Sequence, residues 1–313
     1  MKIAKSAVIA AALTAAISIQ AGAETIHAAG AAPATAVSAS VASSPKKPHD
    51  NAIYNQMMIL LKSPAKQAEA ISYLEKKICR VTPSQASTMV LKLEDAEKAN
   101  LDAWNNKFYK DSVQSKLMKL MKAGDDLTTL INKTSDKSLK SLFKGARDSG
   151  YRLETSEGMF YLVLDYPRFQ KVRPFMTDDI KSYIDIMTTE TKKTFANDAA
   201  LSIGWTEVTK RALSQEVFLK SFPSSSRAVQ VKLLYKQYLN TSLYGLNNTP
   251  LFDYDTKKVD AKAKAAFEAA ISKGNPSKSS YLKTLKDFLD VLQKNHDTLT
   301  PEVEKYRKSV AGM

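Results

Sequence analysis

Three observations predict an all-α fold. Apolar side chains recur at steps of three and four through most of the chain beyond residue 49. Glycine and proline are sparse, 10 and 11 in 313 residues, while Lys, Ala and Leu are abundant. Helix-start signals also punctuate the sequence, among them Ser63-Pro64, Thr82-Pro83-Ser84-Gln85 and Thr300-Pro301.

The first residues read as a secretory leader. Lys2 and Lys5 precede an Ala-rich apolar run over 6–19, and Ala21-Gly22-Ala23 supplies the small residues a signal peptidase accepts, so cleavage is expected after Ala23. The apolar run is shorter than the ~20 residues that span a bilayer, and no cysteine follows it to carry a lipid. Residues 24–48 hold Ala, Ser, Thr, Val and Pro with almost no large apolar side chain. They bury too little surface to offset their ordering entropy and are expected to form a disordered tether.

A helical bundle is expected over 49–148. Ile53, Met57, Leu60 and Leu61 mark its first helix, and Ala68, Ile71, Leu74 and Ile78 its second. Thr82, with Pro83 at the first helical position and Gln85 at the third, predicts a capping box and a helix running to about Tyr109. Shorter helices follow, with Val113, Leu117 and Leu120 on one, a stop near Gly124, and Leu139, Leu142 and Phe143 on another opened by Ser135.

A C-terminal helical region is expected over 149–313. Its opening breaks the helical period. Tyr151, Leu153 and Thr155 alternate, Glu157-Gly158 can turn, and 159–166 is rich in β-formers, so a short hairpin and a buried helix both fit. Helix is the preferred reading, because a lone hairpin is marginally stable. Thr177 then caps a helix bearing Ile180, Tyr183, Ile184 and Met187. Residues 205–243 read as a helix pair broken at Pro223, with Ser224, Ser225 and Ser226 as cap oxygens, and Trp205, Phe222, Val231 and Tyr235 are expected to pack where the two helices meet. Further helices are expected at 261–271, from Ser277, and from Pro301.

Charge and chemistry narrow the function less than the fold. The 46 basic and 32 acidic residues give +14, which favours anionic partners. The lysines are spread along the chain, for example Lys116, Lys119 and Lys122, or Lys262 and Lys264, without a compact basic-aromatic nucleic-acid motif. Wall polyanions, an anionic membrane surface or another extracytoplasmic protein are the expected partners, and nucleic acid is not. Cys79 is the sole cysteine, so no intramolecular disulfide forms; beside Ile78 and Val81 it is expected to be small and buried.

His27 and His49 lie in or at the edge of the tether. Only His296 falls well inside the expected fold, near a helix C-terminus, where no motif gives it a nucleophile or a metal. Glu154, Glu157 and Asp165 surround Gly158, and paired carboxylates of this kind cleave glycosidic bonds, making Glu157 and Asp165 the catalytic candidates. Asp253, Asp255 and Asp260, near Asn247 and Asn248, are the metal candidates, with calcium as the ion. The EF-hand spacing is absent and Lys257 and Lys258 interrupt the run, which favours turn and cap roles. Tyr235, Tyr238 and Tyr244 sit at core spacing, with a groove as the alternative. No cofactor is implied.

The run Phe218-Leu219-Lys220-Ser221-Phe222-Pro223, followed by Ser225 and Ala228, resembles one helix-turn-helix unit of the tetratricopeptide-like class. The resemblance implies two antiparallel helices there. From Glu157 through Phe252-Asp253-Tyr254 the chain is similar to uncharacterised secreted proteins of endospore-forming Gram-positive bacteria, a likeness that implies no activity. The expected role is a secreted, non-enzymatic binding or scaffold protein, with a wall-acting hydrolase using paired carboxylates as the alternative.

Overall fold

The computed structural model describes residues 48–311, and side chains from 51 to 310. The leader, the cleavage site and nearly all of the tether lie outside the described residues. Within them helices dominate, and the strands form three separate two-stranded antiparallel pairs.

Helix α1 (Pro48–Leu61) packs on α2 (Gln67–Lys77), which a 3-10 turn at Pro64–Lys66 introduces. Then comes α3 (Pro83–Phe108), the longest helix. Its start carries the expected capping box: the Thr82 hydroxyl accepts from the Gln85 N–H at 3.3 Å, and the Gln85 side chain accepts from the Thr82 N–H at 3.2 Å. Helices α4 (Asp111–Leu120), α5 (Leu127–Lys133) and α6 (Lys137–Asp148) follow, the last two capped by Asp126 and Asp136. Gly124, with φ 87°, lies in the turn after α4 rather than ending it.

Residues 151–164 form a hairpin, not the helix preferred from the sequence. Strand β1 (Tyr151–Ser156) pairs with β2 (Met159–Leu164), with Leu153 opposite Leu162. Glu157 and Gly158 both take positive φ, 52° and 76°, the backbone a tight two-residue turn requires. The isolation that argued against a hairpin is removed by two side-chain amides from distant helices. Asn105 of α3 donates to the Leu162 carbonyl at 3.2 Å and accepts from its N–H at 2.7 Å. Gln114 of α4 does the same for Phe160, at 2.8 and 2.9 Å. The outer edge of β2 is thereby satisfied without a third strand.

After 3-10 turns at Tyr166–Lys171 and Arg173–Phe175 comes α7 (Asp178–Lys192). Two residue pairs, β3 (Ala196–Asn197) and β4 (Ala200–Leu201), lead to α8 (Trp205–Ser221) and α9 (Ala228–Tyr244). These two helices form the expected antiparallel pair, but the serines do not cap it. Arg227 occupies the N-cap of α9, while the Ser225 hydroxyl bonds Asp179 at 2.7 Å. A second turn, β5 (Gly245–Leu246) with β6 (Thr249–Pro250), precedes α10 (Ala261–Lys273), α11 (Ser280–Lys294) and α12 (Pro301–Ala311). Helix α11 starts at its Ser279 cap rather than at Ser277.

Apolar side chains collect into two clusters. The first joins α1 to α7 with the hairpin, through residues such as Met57, Leu93, Phe143, Leu162 and Ile184, and it continues without a break across residue 148. The second joins α8 to α12, through Val208, Phe267, Phe288 and Leu292. The α8–α9 pair serves both. Phe218, Phe222 and Val231 belong to the first cluster, whereas Trp205 and Tyr235 belong to the second. Trp205 meets Phe267 edge-on at 6.0 Å. The four residues expected to meet between the helices are therefore divided between two cores.

The amide clamps set a stability test. Asn105→Ala or Gln114→Ala leaves a buried N–H and C=O without partners, at about 1–3 kcal/mol per group. Each variant is expected to lose about 2–4 kcal/mol in urea denaturation. Amide exchange at Phe160 and Leu162 is expected to accelerate; a loss below the error of the melt, with unchanged exchange, contradicts the clamp.

Candidate functional site

The carboxylates singled out in the sequence do not converge. Glu157 lies at the hairpin tip and is exposed, while Asp165 follows β2 at the hairpin base. At a strand's ~3.3 Å rise the two are roughly 20 Å apart, against the ~5–9.5 Å that glycosidic cleavage needs. Burial raises the Asp165 carboxyl above its ordinary range, while Arg168, Arg152 and Lys171 oppose the shift. Glu154 faces Arg152 in an ion pair on β1.

The three aspartates of the later loop take local roles. Asp253 accepts from the N–H groups of Asp255 and Thr256, at 3.1 and 2.7 Å, and from the Thr256 hydroxyl. These bonds hold its pKa below the ordinary value. Asp260 caps α10 through the Ala263 N–H at 2.7 Å, and Asp255 is exposed. Among the described residues no group of three His, Cys, Asp or Glu could hold a metal ion. His296 is exposed in a left-handed turn after α11, with φ 52°. Cys79 is exposed, not buried: it lies in a 3-10 turn whose inward position is taken by Ile78. Tyr238 is fully buried, and Tyr235 and Tyr244 are half-buried.

Sequence reading missed the most heavily bonded acids. Glu94 and Glu97, one turn apart on α3, are both fully buried. Glu94 accepts from the hydroxyls of Tyr166 and Tyr183, from Lys98 at 2.7 Å and from Arg227 at 2.7 Å. Glu97 pairs with Arg168, and its Oε2 has no partner among the described residues. A second centre lies on α7, where Glu190 accepts from Tyr238 at 2.5 Å and from Arg211 at 3.2 Å. Glu216 of α8 forms a third, accepting from Ser279 at 2.5 Å and from the Tyr281 N–H at 3.1 Å. Each centre joins elements distant in sequence; Glu94, Glu97 and Glu216 are buried and Glu190 is partly buried.

The face of α4 and α6 is different, because its cations are exposed. Lys137, Lys140 and Lys144 occupy i, i+3 and i+7 of α6, on the side opposite Leu139, Phe143 and Ala146. Among the described residues none of the three pairs with a carboxylate. Lys119 of α4 is likewise unpaired, and Lys116 ties α4 to the α6 cap through Asp136 at 2.6 Å. Met118 is 64% exposed on the same helix. The contrast with α11 is informative. There Lys283 and Lys286 each meet an aspartate four residues on, at 2.5 and 2.7 Å. Like charges three and four residues apart repel, so the α6 stripe carries a cost that an anionic partner would relieve.

Glu97 yields a pH test. Burial pushes its carboxyl up to about 7; Arg168 opposes that, and Glu94 and Asp165 reinforce it. Between about pH 4.5 and 7 the folded chain then holds a proton that the unfolded chain releases, so this group's contribution to stability falls as pH rises through that window. Relative to Glu97→Gln, the parent is expected to lose about 3 kcal/mol across it. Denaturant melts of both proteins at pH 4.5, 6 and 8 measure the gap, and a pH-independent gap contradicts the shift.

No protein-family model, curated protein or solved structure matches this chain.

Proposed function

We propose that the protein is a secreted, non-enzymatic binding module that attaches to an anionic polymer of the extracytoplasmic space or cell wall through the α4–α6 face. The observation that carries this reading is the unpaired Lys137, Lys140 and Lys144 stripe on α6, with Lys119 likewise unpaired on α4, the helix that Lys116 ties to the α6 cap. The excess of 46 basic over 32 acidic residues favours the same class of partner. The leader-like N-terminus is the support for secretion. No helix among the described residues is long and apolar enough to cross a membrane.

Attachment of this kind is electrostatic and multivalent. Each ammonium near a dense anionic surface contributes about 1 kcal/mol, and the attraction falls within a Debye length of ~8 Å at physiological salt. The helix fixes the spacing of the charges, so the ordering cost on the protein side is confined to the lysine side chains, about 0.5–1.5 kcal/mol for each one immobilised.

Replacing Lys137, Lys140 and Lys144 together by Gln is expected to weaken retention on a polyanion-coated resin about 100-fold. The circular dichroism spectrum should be unchanged, because all three side chains are exposed. Raising salt is expected to weaken the parent more steeply than the variant. Equal retention of the two proteins, or retention insensitive to salt, sinks the proposal.

A further inference from the structure

A second feature is concave and lies away from the α6 stripe. The outer face of the β1–β2 hairpin and the chain leaving α7 line a half-open cleft of about 270 Å³. Glu154 and Tyr161 line it from the hairpin, Lys192 and Lys193 from the end of α7, and Asn197 and Ser202 from the β3–β4 turn. Its charge is positive on balance. Glu154 is paired with Arg152, whereas among the described residues neither Lys192 nor Lys193 meets a carboxylate. Lys192 closes the last turn of α7 and Lys193 is its C-cap residue, while Arg152 donates to the Thr191 carbonyl there.

The wall formed by the turn is held rigid. Asp198 and Ala199 both adopt positive φ, 48° and 51°, a conformation that costs an alanine about 1 kcal/mol or more. The β5–β6 turn braces it. The Asn248 N–H donates to the Ala199 carbonyl at 2.9 Å, its side-chain amide donates to the Asp198 carbonyl at 2.6 Å, and the Leu201 N–H donates to the Thr249 hydroxyl at 3.0 Å. At the edge of the hairpin the Ser156 hydroxyl donates to the Asn197 side-chain oxygen, which ties β1 to β3 beside the cleft and leaves the Asn197 NH2 outside that bond. Burial raises the Tyr161 hydroxyl's pKa, with Glu154 adding to it, so the phenol remains a donor at neutral pH.

We infer that this cleft binds one acidic sugar unit, with Lys192 and Lys193 on its anionic group and Tyr161, Asn197, Ser202 and Glu154 on its ring and hydroxyls. The volume lies just below the ~300–1,000 Å³ of drug-sized pockets, which fits a single ring. Two ammoniums select the anion. The phenol ring and the neutral donors and acceptors select a polyol over a bare ion. Glu154 disfavours a ligand with more than one anionic group, because the second would meet a carboxylate.

The test titrates the full chain by NMR or calorimetry with glucuronate, glucose 6-phosphate, neutral glucose and inorganic phosphate. Millimolar binding of the two acidic sugars is expected, at least tenfold tighter than glucose or phosphate. Lys192→Gln with Lys193→Gln is expected to reduce acidic-sugar binding at least tenfold, and Asn197→Ala several-fold. The Lys137, Lys140 and Lys144 to Gln variant is expected to bind the sugars as the parent does, which separates this cleft from the α6 stripe. Phosphate binding as tightly as the acidic sugars, no binding by the parent, or a double-lysine variant that binds normally each overturns the inference.

Discussion

The carboxylate of Glu94 draws together parts of the chain that sequence keeps far apart. It sits on α3 and receives Tyr166 from the turn after the hairpin, Tyr183 from α7 and Arg227 from the start of α9. An apolar cluster of equal volume would hold these elements at least as firmly. The carboxylate adds directional demand, since every donor must reach one of two oxygens, and losing one donor leaves a buried charge exposed to its full desolvation cost. Glu97, one turn further along, extends the arrangement to Arg168. There Gly150 is required. Its φ is 85°, and a side-chain carbon at this position would come within 2.7 Å of the Glu97 carboxylate.

From that anchor the two apolar clusters follow. Arg227 fixes the entry of α9 against α3, so the N-terminal half of α9, with Val231, belongs to the first core, and the C-terminal half, with Tyr238 and Leu243, belongs to the second. Helix α8 divides the opposite way, Phe218 in the first and Trp205 in the second, as an antiparallel partner must. Polar centres at the partly buried Glu190 and the buried Glu216 reinforce the same pair from α7 and α11.

Helices were legible in the sequence because apolar spacing is local. Thr82 to Gln85 announced the start of α3 for the same reason: four residues contain the entire capping box. The hairpin was legible as one of two fits, but the choice over a helix was not, because Asn105 and Gln114, which satisfy its outer edge, lie 57 and 46 residues before the backbone groups they bond. A signal was nevertheless present. Ala86, Val90, Leu93, Glu97, Leu101, Asn105 and Phe108 form one buried stripe at steps of three and four, and both of its polar members, Glu97 and Asn105, have long-range tasks. A polar side chain at a core position of an apolar stripe thus marks a partner elsewhere. The acids chosen for chemistry were chosen by proximity in sequence, and a hairpin places such neighbours at opposite ends. The cleft beside Tyr161 was invisible for a related reason, since its walls come from the hairpin strands before α7 and from the chain after it.

Chain order gives the clamps on β2 a further consequence. The segment Met159–Leu164 is apolar, rich in β-formers and free of charge and proline, the composition that self-associates when exposed. Its receptors, Asn105 and Gln114, precede it in the chain, so during synthesis from the N-terminus they are present before the strand emerges. The strand is thus delivered to an already available docking surface. A rearrangement that placed α3 and α4 after the hairpin would leave the same native contacts and a longer interval in which the bare edge meets its own copies.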